Sequence, residues 1–374
     1  MPEGRVRETM AMEAGVDPDD PVAFFGAYGG DTVGALAFVP PGSTPSRSHR
    51  AAVRLDDAGV GRLLTESLAR AGGHGRGTHL TSSLPGMEPK IGLVRDGGAW
   101  WRAGPTDATT HILKVARAAG SPTADLVDTE AAAIDLARRV GLTSIDATVE
   151  TFDGVRCIVV SRYDRVPDDD EPGGLRRVHQ EDAAQALGLK WGGNAKFEWS
   201  GEGASLRAIA RLLDRDRTIR DTGPSDKEAL LAHTTFRLLA GDTDGHAKNH
   251  GLLHSPAGGV ALAPLYDVTP QVLYGATGEA TAMFVDGRRS LRDIDADALV
   301  EEARSWGLEA DAARAVVTKA AAATLEAARA TRAPESVAAH LPGYVTQACT
   351  ALLEGRPVGL GLGEFPTLKE LEVV

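Results

Sequence analysis

Strand signals and helix signals are segregated along this chain rather than alternating, and no other feature of the sequence limits its fold as much. The strand signals lie in the first half. "KIGLVRDGGAWW" reads as a hairpin around Asp96-Gly97-Gly98, "THILKVA" as a strand, and "DATVETFDGVRCIVVSRYDR" as a second hairpin turning at Asp153-Gly154. Apolar residues at helical spacing mark residues 57–71 (Leu63, Leu64, Leu68) and "LVDTEAAAIDLARRVGL" as amphipathic helices. Ahead of them, "GRVRETMAMEAG" and "DPVAFFGAYG" predict two short helices, "GALAFVP" a strand and "PPGSTPSRS" a linker. From Val178 onward helices dominate: "HQEDAAQALGL", "GASLRAIARLLDR", "DKEALLAHTTFRLLAG", then Ala-rich segments through residue 355. The break in that series is a short β signal between residues 241 and 267, where "LAPLYDVTP" reads as a buried strand. Segregation of this kind favours an α+β architecture over a doubly wound parallel sheet. A strand-rich part therefore passes into a mostly helical part near "VVSRYDRVPDDDEPGG".

Composition narrows the function classes. The 374 residues suffice for two or three subdomains with a sizeable core. A net charge of −12 repels nucleic acid, so the chain alone is not expected to bind it without a basic partner. Cys157 and Cys349, the two cysteines, are too few for a disulfide framework or a cysteine-based metal site. "MPEGRVRETM" lacks the apolar core of a signal peptide, and no run reaches the roughly 18 apolar residues of a membrane span, so a cytoplasmic, membrane-free protein is expected.

The stretch that carries chemistry is "GDTDGHAKNHG", residues 241–251, directly after an apolar helix. Phosphoryl transfer needs acids and an amide for a metal, a carboxylate to orient the attacking hydroxyl, and lysine on the phosphates. Asp244 and Asn249 stand at the Asp-x-x-x-x-Asn spacing of the catalytic acid and metal-binding asparagine of protein kinases. Such oxygen ligands suit Mg²⁺, whereas the histidines lack the carboxylate–His spacing of zinc enzymes. Asp267 follows the next strand signal, where the kinase Asp-Phe-Gly acid would stand, with Val-Thr in place of Phe-Gly. Upstream, Lys114 lies within "HILKV" and Glu130 opens a helix, the order of the kinase strand lysine and its glutamate partner. "VVSRY" then puts Ser161, Arg162 and Tyr163 at the hinge position, where backbone groups could meet an adenine edge.

These stretches, with "SRYDR" and "HQEDAAQALGL", resemble the HipA family of bacterial serine/threonine kinases, toxins of type II toxin–antitoxin systems, from about residue 2 to about residue 350. The resemblance implies a two-lobed, protein-kinase-like α+β fold: a remnant of the HipA N-terminal subdomain in 1–56, a strand-rich N-lobe with the phosphate loop in 57–163, and an all-helical C-lobe with the catalytic loop in 164–374. It implies ATP and Mg²⁺, with Asp244 as catalytic acid/base, Asn249 and Asp267 as metal ligands, His246 and Lys248 near the phosphates, and Lys114 on the nucleotide. "SSLPGMEPK" resembles the family's phosphate loop, which implies Ser83 as a self-phosphorylated serine, with Ser82 as rival, and Gly86 and Lys90 as loop contacts. Family substrates are aminoacyl-tRNA synthetases, and the family's partner is a small HipB-like DNA-binding antitoxin.

Two departures stand out. The family's loop usually reads Ala-Gly-Ala-Gln-Glu-Lys; here Pro85 and Pro89 stiffen it, and Pro89 removes a backbone donor. Relatives also carry a β-rich segment ahead of "MPEGRVRETMA", which suggests a shortened or split (HipT-like) member completed by a small separate protein, or a mis-assigned start. Two rival readings of function are a catalytically idle co-repressor module and a small-molecule or lipid kinase. The intact set of Lys114, Glu130, Asp244, Asn249 and Asp267 favours an active protein kinase over the first.

Overall fold

Both Asp-Gly signals turn hairpins, because their central residues take the left-handed backbone a two-residue type I′ loop demands. Gly97 and Gly98 lie at φ 54 and 79, Asp153 and Gly154 at φ 47 and 78. The computed structural model describes residues 1–45, 53–73, 83–118, 120–121, 123–168, 170, 174–214, 224–274, 279–331 and 340–359. The chain divides into two units, Met1–Ala116 with Asp146–Gln180, and Arg117–Ile145 with Glu181–Val374.

The first unit holds helices α1 (Gly4–Ala14), α2 (Pro21–Tyr28) and α3 (Asp57–Ala71) and strands β1 (Val53–Leu55), β2 (Lys90–Asp96), β3 (Ala99–Arg102), β4 (His111–Val115), β5 (Ala147–Phe152), β6 (Val155–Ser161), β7 (Arg165–Pro167) and β8 (Leu175–Arg177). The first six strands form one antiparallel sheet in the order β1-β3-β2-β4-β6-β5, and β7 pairs with β8. Val60, Leu63 and Leu64 of α3 pack with Ile91, Leu93, Leu113, Val115 and Val159 of the sheet, all buried. α1 and α2 form a smaller core of Met10, Ala11, Phe24 and Tyr28, in which Tyr28 Oη donates to Met10 O at 2.9 Å.

The expected strand "GALAFVP" is irregular backbone instead. Its polar groups are taken locally: Thr32 Oγ1 donates to Leu36 O at 2.6 Å, and Phe38 N to Gly29 O at 2.8 Å. Phe38 then stacks on Phe25 of α2, so the segment is packed by an aromatic pair rather than by a ladder.

The second unit holds α4 (Leu126–Arg139), α5 (Ala183–Ala186), α6 (Leu206–Leu212), α7 (Asp226–Ala240), α8 (Ala296–Ser305), α9 (Ala310–Arg329) and α10 (Leu341–Leu353). Short strands interrupt them: β9 (Gln180–Asp182), in which the unit boundary falls, β10 (Gly251–His254), β11 (Val260–Leu262), β12 (Ala280–Val285) and β13 (Arg288–Ser290). α9 packs on α4, α7, α8 and α10 around a core that includes Leu230, Leu231, Phe236, Leu239, Leu299 and Val345. The segment 57–163 is thus shared between the units, because α4 buries Ala133, Leu136 and Ala137 in the helical core. "LAPLYDVTP" departs from the expected strand after Leu262. Pro264 lacks a ladder donor, and Leu265 N turns to Leu142 O at 3.0 Å. Among the described residues no helix is long and apolar enough to cross a membrane.

Candidate active site

α7 delivers the acids of the second unit. A capping box starts the helix, with Ser225 accepting from Glu228 N and the Glu228 carboxylate accepting from Ser225 N. Gly241 ends it at φ 71, where a Cβ would sit 2.2 Å from Val272 Cγ2, so both backbone sign and space require glycine. In the last turn Arg237 is 4% exposed, an arginine among core residues. Its guanidinium pairs with Asp242 and donates to Tyr266 O at 2.7 Å, Asn249 O at 3.0 Å and Asp267 O at 3.1 Å. One cation therefore ties the loop after α7 to the segment after β11. Burial pushes the Asp242 carboxyl up, and the Arg237 charge works against that rise.

Asp267 sits at φ 54, a left-handed conformation that aspartate tolerates better than most residues. Its carbonyl is held by Arg237, and its carboxylate accepts from Asn249 Nδ2 at 2.8 Å. The other amide atom, Asn249 Oδ1, is buried, and no donor among the described residues reaches it. With the amide turned over, Asn249 Oδ1 and the Asp267 carboxylate would form a hard-cation donor set. Among the described residues no group of three or more His, Cys, Asp or Glu side chains gathers for a metal, so any ion here needs further oxygens from water or phosphate.

Asp244 lies half-buried in the same loop, its N–H donating to Asp242 Oδ1 at 3.1 Å and its carbonyl accepting from His246 N at 2.6 Å. Burial raises its carboxyl above the ordinary range; the Lys196 charge lowers it, the Asp267 charge raises it, and Gln271 and Arg237 lower it. His246 is 7% exposed and meets the Phe197 ring edge-on, while the Lys248 carbonyl accepts from Tyr266 Oη at 2.7 Å. His250 is a packing residue, held neutral by burial and then by the nearby Arg237 charge.

The nucleotide-side expectations other than Glu130 fall in the first unit. Lys90 of β2 is the register partner of Lys114 of β4, so two ammonium stems stand on adjacent strands. Lys90 Nζ donates to Pro85 O at 2.8 Å across Gly86, whose φ of 106 favours glycine and where a Cβ would displace the Lys90 ammonium from this bond. Gly86 O accepts from Glu3 N at 3.0 Å. Ser83 is 2% exposed, and no partner among the described residues reaches its Oγ. Ser82 lies outside the described residues.

At the expected hinge, Ser161 N donates to Asp146 O and Arg162 N to Thr110 O, both at 2.9 Å, so these amides serve the unit's own structure. The Arg162 side chain is buried in an ion cluster, 3.0 Å from Asp31 and 2.9 Å from Asp164. Tyr163 Oη donates to Gln180 Oε1. Glu130 does not open its helix but lies in the second turn of α4, which starts at Leu126; it is 3% exposed and in the second unit, whereas Lys114 belongs to the first. Arg237, Asp242, Tyr266 and Lys196 were not legible as site residues; the one signal was a charge at a core position in "TTFRLLA".

Comparison with known proteins bears on this geometry. The model of the HipA-like C-terminal domain matches residues 82–328, and that of the HipA N-terminal domain matches residues 1–39. A protein of Sinorhizobium fredii named "Putative kinase Y4mE" is 32% identical over 336 residues, 87% of this chain and 76% of that protein. The serine/threonine-protein kinase toxin HipA of Shewanella oneidensis is 26% identical over 300 residues, 76% of this chain, which spans 65% of that protein's length. A solved complex of Shewanella oneidensis MR-1 HipA with HipB and operator DNA superposes with a TM-score of 0.74 at 23% identity, over 100% of this chain and 85% of that one.

Proposed function

The chain belongs to the HipA family of kinases, and on that premise we propose that it is a serine/threonine protein kinase that uses Mg²⁺·ATP and arrests growth as a toxin. The observation that carries this reading is the Asn249–Asp267 pair, with Asn249 Oδ1 buried and reached by no donor among the described residues, and Asp244 close enough to feel the Asp267 charge. Asn249 Oδ1 and the Asp267 carboxylate would hold the metal, which when bound offsets charge on the phosphates. Asp244 accepts the proton of a protein hydroxyl as the oxygen–phosphorus bond forms and the γ-phosphorus leaves the bridging oxygen of ADP. His246 and Lys248 flank the transferred group. Lys90, Lys114 and Gly86 are the proposed contacts to nucleotide phosphate, the roles the family resemblance implies for them.

The aminoacyl-tRNA synthetase class is the substrate this reading favours, and a HipB-like antitoxin the partner, through which a chain of net charge −12 would meet DNA. Ser83 is the proposed self-phosphorylation site; a hydroxyl 2% exposed must leave its packing to react. The added charge of about −1.5 to −2 would then keep the loop out of an anion site and switch the enzyme off.

The test is labelled ATP with the purified protein and cell lysate, followed by phosphosite mapping. Asp244→Asn and Asp267→Asn should each lower transfer by about 10² or more with the fold intact. Wild-type rates in either variant would overturn the assignment. Phosphate on Ser83 of the wild type, absent from Asp244→Asn, would support the self-regulation.

A further inference from the structure

Residues 241–250 are bracketed by two segments distant in sequence. On one side Ala282 N of β12 donates to Thr243 O at 2.9 Å. On the other Ala247 N donates to Lys196 O at 3.0 Å, and the Phe197 ring meets His246 with centroids 5.2 Å apart. The two brackets are joined, since Phe284 N of β12 donates to the Glu198 carboxylate at 2.7 Å. The backbone of Lys196 is thus fixed against the loop that bears Asp244, while its ammonium lies 5.3 Å over the Phe197 ring.

The charge at this loop needs a partner. Asp244 and Asp267 repel one another, and the Arg237 guanidinium is already committed to Asp242 and to three carbonyls. The lysine inside the motif, Lys248, acts on Asp182. Gln271 offers Asp244 a hydrogen bond but no charge. Lys196 is the largest opposing charge at Asp244.

We infer that Lys196 is a positioning residue for phosphoryl transfer, its ammonium holding the Asp244 carboxylate toward the acceptor hydroxyl and away from Asp267. This rests on the kinase reading for its consequence in rate, but the pairing itself does not. The segment Asn194–Ser200 is then the wall that completes the catalytic loop, and its anchors are Ala247 N and Phe284 N.

Two measurements test it on the full chain. Lys196→Met should lower kcat by about tenfold or more with KM for ATP changed by no more than about twofold, and Lys196→Arg, which keeps the charge, should recover most of the rate. Independently of any activity, the thermal shift caused by Lys196→Met should vanish when Asp244→Asn is already present. A wild type that transfers no phosphate but shows this coupling would sink the kinase reading and leave the pairing standing. Equal thermal shifts in both backgrounds, or Lys196→Met with kcat within about twofold of wild type, would overturn the inference.

Discussion

Arg237 does at the scale of one residue what the motif alone cannot do. Asp244 and Asn249 come from the loop after α7 and Asp267 from the segment after β11, and the Arg237 hydrogen bonds fix both stretches relative to that helix. Arg237→Met should destabilise the protein by about 3–5 kcal/mol, because it leaves Asp242 buried without its cation. It should also free the Asp267 and Tyr266 carbonyls, so phosphoryl transfer should fall even at temperatures where the variant stays folded. Urea denaturation gives the first quantity, and a transfer assay well below the midpoint the second. Stability within about 1 kcal/mol of wild type would mean that Asp242 finds another partner.

At the scale of an element, the central strands of the first unit carry a pH dependence of their own. His111 opens β4 between Trp100, whose ring it meets edge-on, and Thr110 Oγ1, 2.8 Å from Nδ1. Burial, then the Arg95 charge, lowers its folded pKa to about 4 from 6.5, while Glu150 and Asp146 work the other way. Below 6.5 the unfolded chain takes up a proton that the folded one refuses until about pH 4. Stability from this group therefore rises with pH across that window and is level above it, by up to about 3 kcal/mol. The difference in unfolding free energy between wild type and His111→Gln, followed from pH 4 to pH 8, should show that rise. A difference that is flat with pH would remove His111 as its source.

At the scale of the whole molecule, the first unit depends on a buried charge cluster that joins the segment after α2 to the β6–β8 region. Asp31 lies 3.0, 2.9 and 3.3 Å from Arg162, Arg165 and Arg177, with Asp164 the second acid. Asp31→Ala would leave three guanidinium groups to one carboxylate in a buried site. A loss of about 3–5 kcal/mol is expected, with residues 1–39 becoming the first part cut by protease. Proteolysis that begins elsewhere, with unchanged denaturation, would show that the cluster is dispensable.

Much of this was legible in the sequence because it rests on local chemistry. Asp-Gly pairs require left-handed turns, periodic leucines require a buried face, and Asp-x-x-x-x-Asn brings its own spacing wherever it folds. The hairpins at Asp153-Gly154 and Gly97-Gly98, α3, α4 and α7 followed from those rules. Misread were "GALAFVP" and "LAPLYDVTP", whose apolar runs look like strands but whose backbone groups find partners outside any ladder, at Gly29 and Leu142. Only the tertiary structure could decide that Arg237 and Lys196 belong with the motif, or that Lys90 stands opposite Lys114. The physical reason is the same in each case: a charge is placed by the distant groups that desolvate and pair it, and sequence spacing carries no record of them.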